Sequence, residues 1–421
     1  MKTKSNTICP LPWHHSFINS NGNYQICCTS EEFHFGIRDE QENFLNIKNR
    51  PSLNTVINSQ FMKNIRLKML KSQWPDECKR CQQTEADCGT SRRQVENSNP
   101  QYDIESLEKL TAPDGEIKLD IKSADYRLGN LCNLECKMCG PHSSKRWIPK
   151  WNKVKPPQEH LSSYSELELK NYNWITEDYL INEFREKLPN LNHIHFAGGE
   201  PLIIPQMEKM LSICIDLGFS QNITITYNTN ISYLPQSVLA LWKHFKEIKL
   251  LCSIDGIGKI NDYIRFPSKW REIDKNLKFL DDNFQRLNLR EVLISTTVQI
   301  YNIHYLEQIY DYLKKFKNIV PAPNLINLYT PDYLSSHLIP ERDKIEVARK
   351  LTSIAEDLKN VLSPEYIYLA DNIYQVINFI NRSSDEKLLK RFFEINEKMD
   401  IENKTSLLDF NPKLHEIESR I

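Results

Sequence analysis

Neither sign of charge dominates this chain of 421 residues: Lys and Arg number 54, Asp and Glu 55. That balance excludes a surface-wide polyanion-binding coat, and no nucleic-acid partner is expected beyond a local basic patch. No apolar run approaches the ~20 residues needed to cross a bilayer, so no membrane span is expected. The opening stretch MKTKSNTICPLPWHHS lacks the apolar segment of a secretory leader, and the chain is read as cytoplasmic. Repeats and low-complexity segments are also missing. Thiols stay reduced in the cytoplasm, which disfavours a disulfide framework and makes clustered cysteines a sign of metal or catalysis.

What the chain does have is eleven cysteines, unevenly placed. Cys9, Cys27, Cys28, Cys78, Cys81 and Cys88 precede residue 90, and Cys132, Cys136 and Cys139 fall within eight residues. Cys214 and Cys252 stand alone in apolar contexts, where a cysteine serves as a small buried hydrophobe.

Residues 1–112 are rich in Asn, Ser and Pro, with one helical stretch near SLNTVINSQFMKNIRLKML and little apolar periodicity from which to build a core. A metal staple would supply the missing stability. From about residue 113 to 335, short β-branched runs alternate with helical ones. The expected strands are EIKLDIK (116–122), HIHFA (193–197), NITITY (222–227), IKLLCSI (248–254), VLISTTVQI (292–300) and LINLYT (325–330). Alternating β and α units point to a parallel sheet with right-handed crossovers. Six such units predict an open, partial (β/α)6 TIM-like barrel rather than a closed one. GGEP, NTN and DGIG follow strand ends, the rim at which parallel α/β folds bind ligands. DGIG lacks the third glycine of a dinucleotide loop and reads as a turn. Residues 336–421 read as a helical C-terminal extension.

The stretch LGNLCNLECKMCGPHS admits three readings. Cys132, Cys136 and Cys139 have the i, i+4, i+7 spacing of a buried helix stripe, although Gly129, Asn130, Asn133 and Gly140–Pro141 interrupt a helix. With His142 they match a Cys₃His zinc site, although no CxxC knuckle is present. As CxxxCxxC on a loop they hold three corners of a [4Fe–4S] cluster and leave one iron open.

With these motifs in order, the chain resembles the radical SAM superfamily over about residues 115–335. CNLECKMC resembles the cluster loop after the first strand, GGEP (198–201) the second-strand motif, and TYNTN the polar end of the third strand. SIDG followed by YIRF resembles the fourth strand and the arginine region beyond it, and TTVQIYN the fifth strand. The resemblance implies a [4Fe–4S] cluster on Cys132, Cys136 and Cys139 that binds S-adenosylmethionine and cleaves it reductively. The product is a 5′-deoxyadenosyl radical, which abstracts hydrogen from a peptide side chain or a small organic substrate. It implies contacts to S-adenosylmethionine from Gly198, Gly199 and Glu200 on the methionine portion, Asn228 or Asn230, Ser253 and Asp255 on the ribose, and Arg265 on the carboxylate. Met138 stands where the family usually has an aromatic residue near adenine. An electron donor such as flavodoxin or ferredoxin is implied as a partner.

The N-terminal pattern of Cys9, a glycine (Gly22) five residues before Cys27, and the distant Cys78–Cys81 pair resembles the twitch and SPASM auxiliary-cluster domains, placed here ahead of the barrel. That resemblance implies Cys9, Cys27, Cys78 and Cys81 as ligands of an auxiliary iron–sulfur cluster, with Cys28 and Cys88 in reserve. Zinc on two cysteine pairs, or with His14 or His15, is the competing reading. The stretch SSKRWIPKWNKVKPP carries Lys145, Arg146, Lys150 and Lys153 with Trp147 and Trp151, which suits either a solvated face or contact with a polyanion. The alternative function is therefore a zinc-stabilised RNA-binding or interaction protein without radical chemistry.

Overall fold

The computed structural model describes residues 7–30, 36–86, 89–170, 172, 174–176, 178–361 and 364–418. Eight strands lie in one sheet in the order β2-β1-β3-β4-β5-β6-β7-β8. They are β1 His15–Ile18, β2 Tyr24–Gln25, β3 Ser123–Arg127, β4 His193–Ala197, β5 Thr224–Thr229, β6 Glu247–Ser253, β7 Leu289–Val298 and β8 Asn324–Asn327. The pairs β1–β3, β3–β4, β6–β7 and β7–β8 are parallel, and β2 runs antiparallel to β1. The order ends at β2 and β8, so the sheet is unclosed and β3 to β8 supply the six strands of a partial barrel. Helices Pro205–Asp216, Gln236–Trp242, Trp270–Asp282 and Leu306–Leu313 occupy the connections after β4, β5, β6 and β7. Among the described residues no helix is long and apolar enough to cross a membrane.

Two compact units divide the chain. One comprises residues 1–129, 172–226 and 244–247, the other 130–171, 227–243 and 248–421. In the first unit the apolar faces of β3 and β4 carry Ala124, Tyr126, Ile194 and Phe196, all fully buried. Tyr126 meets Phe184 of helix Asp178–Lys187 edge-on at 5.9 Å. That helix also buries an ion pair, Glu183 with Lys187, and the hydroxyls of Tyr24 and Tyr126 donate to the Glu183 carboxylate. Four groups share one buried charge pair, which is how such a pair avoids the cost of isolated burial.

The strand expected at 116–122 is displaced: β3 begins at Ser123. Ile117 and Ile121 are buried, but 116–122 offers only the single bridge Thr111↔Ile117, whereas Ser123 pairs with both His15 and His193. The expectation that the N-terminal segment lacks a core is also corrected. Leu11, Trp13, Phe17, Ile18, Tyr24, Ile26, Met62, Ile65 and Met69 are all buried. The expected helical stretch is two helices, Leu53–Ile57 and Gln60–Leu70. Arg66 of the second binds the loops together: its guanidinium donates to the carbonyls of Gly115, Pro12 and Ile57 and to Asn58 Oδ1. A core assembled from loops around one guanidinium leaves no period in the sequence. Cys214 and Cys252 are fully buried, as small hydrophobes should be.

The second unit holds β6 to β8 and the C-terminal helices Glu341–Lys359, Pro364–Ile380, Glu386–Asn403, Leu407–Phe410 and Pro412–Glu418.

Candidate functional site

The CNLECKMC segment is a loop, not a helix. Its backbone is held in a strand-like way by the segment after β6: Glu135 N donates to Phe266 O at 2.5 Å and Lys137 N to Ile264 O at 2.8 Å. Side chains therefore alternate, with Glu135 and Lys137 on one side and Cys136 on the other. Ser144 Oγ donates to Leu134 O, and the Trp147 indole donates to Cys136 O at 3.1 Å. Past the last cysteine, Gly140 leaves room for the Trp151 ring, which a Cβ would meet at 3.1 Å.

The thiols of Cys132, Cys136 and Cys139 lie within electrostatic reach of one another. A hydrogen bond with Cys139 and the nearby Arg265 guanidinium lower the Cys136 thiol's pKa against the opposing effect of burial. Arg265 Nη1 stands 4.0 Å from Cys136 Sγ, and its Nε is 2.7 Å from Asp255 Oδ2. Asp255 is fully buried; its other oxygen accepts the Thr297 amide at 2.8 Å. Burial raises this carboxyl group's pKa, and Arg265 opposes that shift. Of the residues that the resemblance assigned to S-adenosylmethionine, Asp255 and Arg265 are thus ion-paired with each other beside the thiols. Asn230 is buried and donates to Asn133 of the cysteine loop at 2.9 Å, while its own Oδ1 accepts Ser232. Asn228 is exposed on β5, and Ser253, the last residue of β6, and Met138 are half-buried.

Gly198, Gly199 and Glu200 follow β4 in the first unit. Both glycines have positive φ, 78° and 53°. A Cβ on Gly198 would come within 2.9 Å of the Arg127 Cα, so backbone conformation and close approach both require glycine here. Gly198→Ala is expected to cost about 1–3 kcal/mol and to lower the melting temperature by several degrees. Thermal denaturation checks this, and an unchanged transition would contradict it. Glu200 is buried, and its carboxylate caps the turn Pro201–Ile203 by accepting the Leu202 amide.

The N-terminal cysteines converge. Cys9, Cys27, Cys78 and Cys81 line one recess, together with Trp74, Glu77, Arg92 and Arg93. Burial raises the pKa values of the Cys9, Cys27 and Cys78 thiols, and neighbouring cysteines raise them further. Cys28 is not among the lining residues; its electrostatic neighbours are Arg92, Asp125, Cys27 and Arg127. Cys88 lies outside the described residues. His14 stacks on Tyr102 and bonds Asp120 O, and His15 bonds Ser123, so neither histidine is turned to the recess.

Sequence reasoning missed the polar face of β1, β3 and β4. In register lie His15, Ser123 and His193, and one step on Asp125 and His195. His195 Nδ1 sits 3.0 Å from Asp125 Oδ2, while Asp125 Oδ1 is buried with no hydrogen-bond partner among the described residues. Burial alone would raise the Asp125 pKa, but His195, Arg127 and His15 hold it below the usual carboxylate range. An ionised carboxylate only accepts, so His195 donates from Nδ1 and a neutral ring carries its lone pair on Nε2. The signal was present in SADYR and HIHFA: strands buried on both faces are apolar throughout, and these alternate.

The basic stretch after the cysteine loop spends its charge internally. Arg146 and Lys150 pair with Glu135 at 2.9 and 2.6 Å, Lys153 with Glu402 at 3.1 Å, and buried Lys155 bonds the Tyr333 hydroxyl. Trp147 is buried and Trp151 donates to Glu159 O, so neither presents a stacking platform. His142 is exposed, with Glu168 as its charged neighbour.

Two family models match the chain: the radical SAM superfamily over residues 126–313 and an iron–sulfur cluster-binding domain, SPASM, over residues 9–82. Among solved structures, native anSMEcpe with bound AdoMet is 17% identical, with a TM-score of 0.36 over 57% of this chain and 61% of that one. SuiB of Streptococcus suis is 12% identical, with a TM-score of 0.37 over 73% and 63%. SuiB bound to its precursor peptide SuiA is 13% identical, with a TM-score of 0.32 over 50% and 39%. The chain thus spans less than two thirds of the length of these neighbours. Among curated proteins nothing matches. Residues 126–313 of the chain thus match a radical SAM domain, with an iron–sulfur cluster-binding domain matched ahead of it over residues 9–82.

Proposed function

We propose that Cys132, Cys136 and Cys139 hold the [4Fe–4S] cluster that the radical SAM domain implies, and that Cys9, Cys27, Cys78 and Cys81 hold the auxiliary one. We propose further that the enzyme abstracts hydrogen from a peptide side chain or a small organic molecule. The observation that carries this reading is the CxxxCxxC loop within the matched radical SAM domain, with its middle thiol, Cys136, 4.0 Å from a guanidinium that Asp255 holds. Soft thiolates suit iron–sulfur clusters, and a fixed cation stabilises their negative charge. When bound, the cluster supplies the electron that cleaves S-adenosylmethionine to the 5′-deoxyadenosyl radical.

The chain's own residues then bind and orient. Gly198 and Gly199 bring backbone close to the methionine portion, Glu200 accepts from its ammonium group, and Asn228, Asn230 and Ser253 serve the ribose. Asp255 sets the direction of Arg265, which addresses the carboxylate, and Met138 lies along adenine. Residues 1–112 act as the auxiliary domain, 113–335 as the barrel and 336–421 as a helical extension. The enzyme works in the cytoplasm and takes electrons from a flavodoxin or ferredoxin. The RNA-binding reading is not favoured, because the basic stretch is engaged within the fold.

Anaerobic reconstitution with iron and sulfide, followed by S-adenosylmethionine and dithionite, tests the proposal. The expected result is a brown protein that releases 5′-deoxyadenosine and methionine. Protein that binds zinc but no iron, or an intact cluster that leaves S-adenosylmethionine uncleaved, would overturn it.

A further inference from the structure

The residue after the second cysteine of the loop, Lys137, is 1% exposed, an unusual place for an ammonium group. Its Nζ donates to Asp400 Oδ1 at 3.0 Å and to Asn396 Oδ1 at 3.1 Å, both on helix Glu386–Asn403. Two aromatic faces complete the cage, with the Tyr263 ring centroid at 3.9 Å and that of Tyr301 at 5.5 Å. The cage walls are tied to the same helix: both tyrosine hydroxyls donate to Asn396 Oδ1, and the Tyr263 hydroxyl reaches Asp400 Oδ2 as well. Asp400 is itself over-determined, accepting from Thr405 Oγ1 at 2.7 Å and from the Leu407 amide at 2.9 Å.

A second tether lies two residues earlier. Glu135 pairs with Lys150, whose Nζ also donates to Asn403 Oδ1 at 2.8 Å on that helix. Tyr263 is one residue from Ile264, whose carbonyl receives the Lys137 amide. Backbone and side chain of Lys137 are therefore clamped from two directions, which fixes the backbone next to Cys136.

We propose that helix Glu386–Asn403 is a clamp on the cysteine loop, with Asp400 as a positioning residue that acts through Lys137 to keep Cys136 and Cys139 in cluster-holding geometry. The site would thus depend on a segment more than 250 residues away in sequence. This inference rests on the reading that Cys132, Cys136 and Cys139 are the ligands.

The test uses anaerobically reconstituted full-length variants and S-adenosylmethionine as the probe. It measures the S-adenosylmethionine dissociation constant and the change that binding produces in the reduced cluster's EPR spectrum. Asp400→Asn and Lys137→Met are expected to weaken binding roughly 10–100-fold, the range typical of groups that orient metal ligands, and to alter the spectrum. Leu351→Ala, in helix Glu341–Lys359, is the control for lost stability: a lower melting temperature with parent-like affinity and spectrum. If Asp400→Asn behaves like that control, the ion pair is only structural and the proposal falls. If Asp400→Asn does not fold, the K137M/D400N double variant, which buries no unpaired charge, replaces it; parent-like affinity and spectrum in the double variant overturn the proposal, and weakened binding supports it. A Cys132, Cys136 and Cys139 triple alanine variant that keeps the S-adenosylmethionine-responsive signal would overturn the ligand reading, and the clamp with it.

Discussion

Cys136→Ala is expected to reduce 5′-deoxyadenosine release below about a hundredth of the parent rate, a larger loss than the 10–100-fold typical of groups that merely orient a ligand. Cys136 is the buried member of its trio and the thiol that faces Arg265. It is also the member whose carbonyl is fixed by the Trp147 indole, so its backbone does not adjust to let another donor in. The N-terminal cysteines should separate from it. Cys78→Ala or Cys81→Ala should lower bound iron while S-adenosylmethionine cleavage continues, because these thiols line a different recess. Cys28→Ala should keep its iron, since Cys27 and not Cys28 lines that recess. Iron analysis and chromatographic measurement of 5′-deoxyadenosine on the same anaerobic preparations check the set. Full cleavage activity in Cys136→Ala would end the ligand assignment, and loss of auxiliary iron in Cys28→Ala would reassign one recess ligand.

The parts of the site that could be read in advance are those whose chemistry is local. CxxxCxxC carries its own donor spacing, and HIHFA is a strand over its expected span because alternation and β-branching agree within five residues. SADYR alternates over only five residues, while EIKLDIK upstream alternates over seven and drew the strand expectation. What makes SADYR a strand is pairing on both sides, with β1 and with β4, and β1 comes from a segment with no visible period. The cage around Lys137 was out of reach for a related reason. In sequence Lys137 is one more charge in a loop, and only the fold brings Asn396 and Asp400 to it. Likewise the basic stretch 143–157 had the composition of a polyanion contact. Its carboxylate partners, Glu135 on the loop and Glu402 on a distant helix, are what pair its charges within the fold.

Stability of the folded chain is expected to fall steeply as the pH drops below about 6.5, the value at which an unperturbed histidine takes up a proton. His15 and His193 stand in one row of the polar strand face. Burial, aided by the nearby Arg92 guanidinium, pushes both down to about 3. Asp125 pulls the other way without winning. The sign follows directly. Above pH 6.5 both rings are neutral in the folded and the unfolded chain, and they leave stability independent of pH. Below it the unfolded chain binds two protons that the folded chain refuses until about pH 3, so acid favours unfolding throughout that window. Two protons correspond to a slope of about 2.7 kcal/mol per pH unit. Asp125, whose folded value is depressed, adds its own loss only near and below the ordinary carboxylate value of about 4. Urea unfolding between pH 7 and pH 4.5 measures the slope. His193→Asn is expected to remove about half of it, because Thr226 can still find a partner at the shorter amide. A parent protein with a flat profile across that range would show that these rings are protonated in the folded state, and would end the account of a histidine row kept neutral by burial.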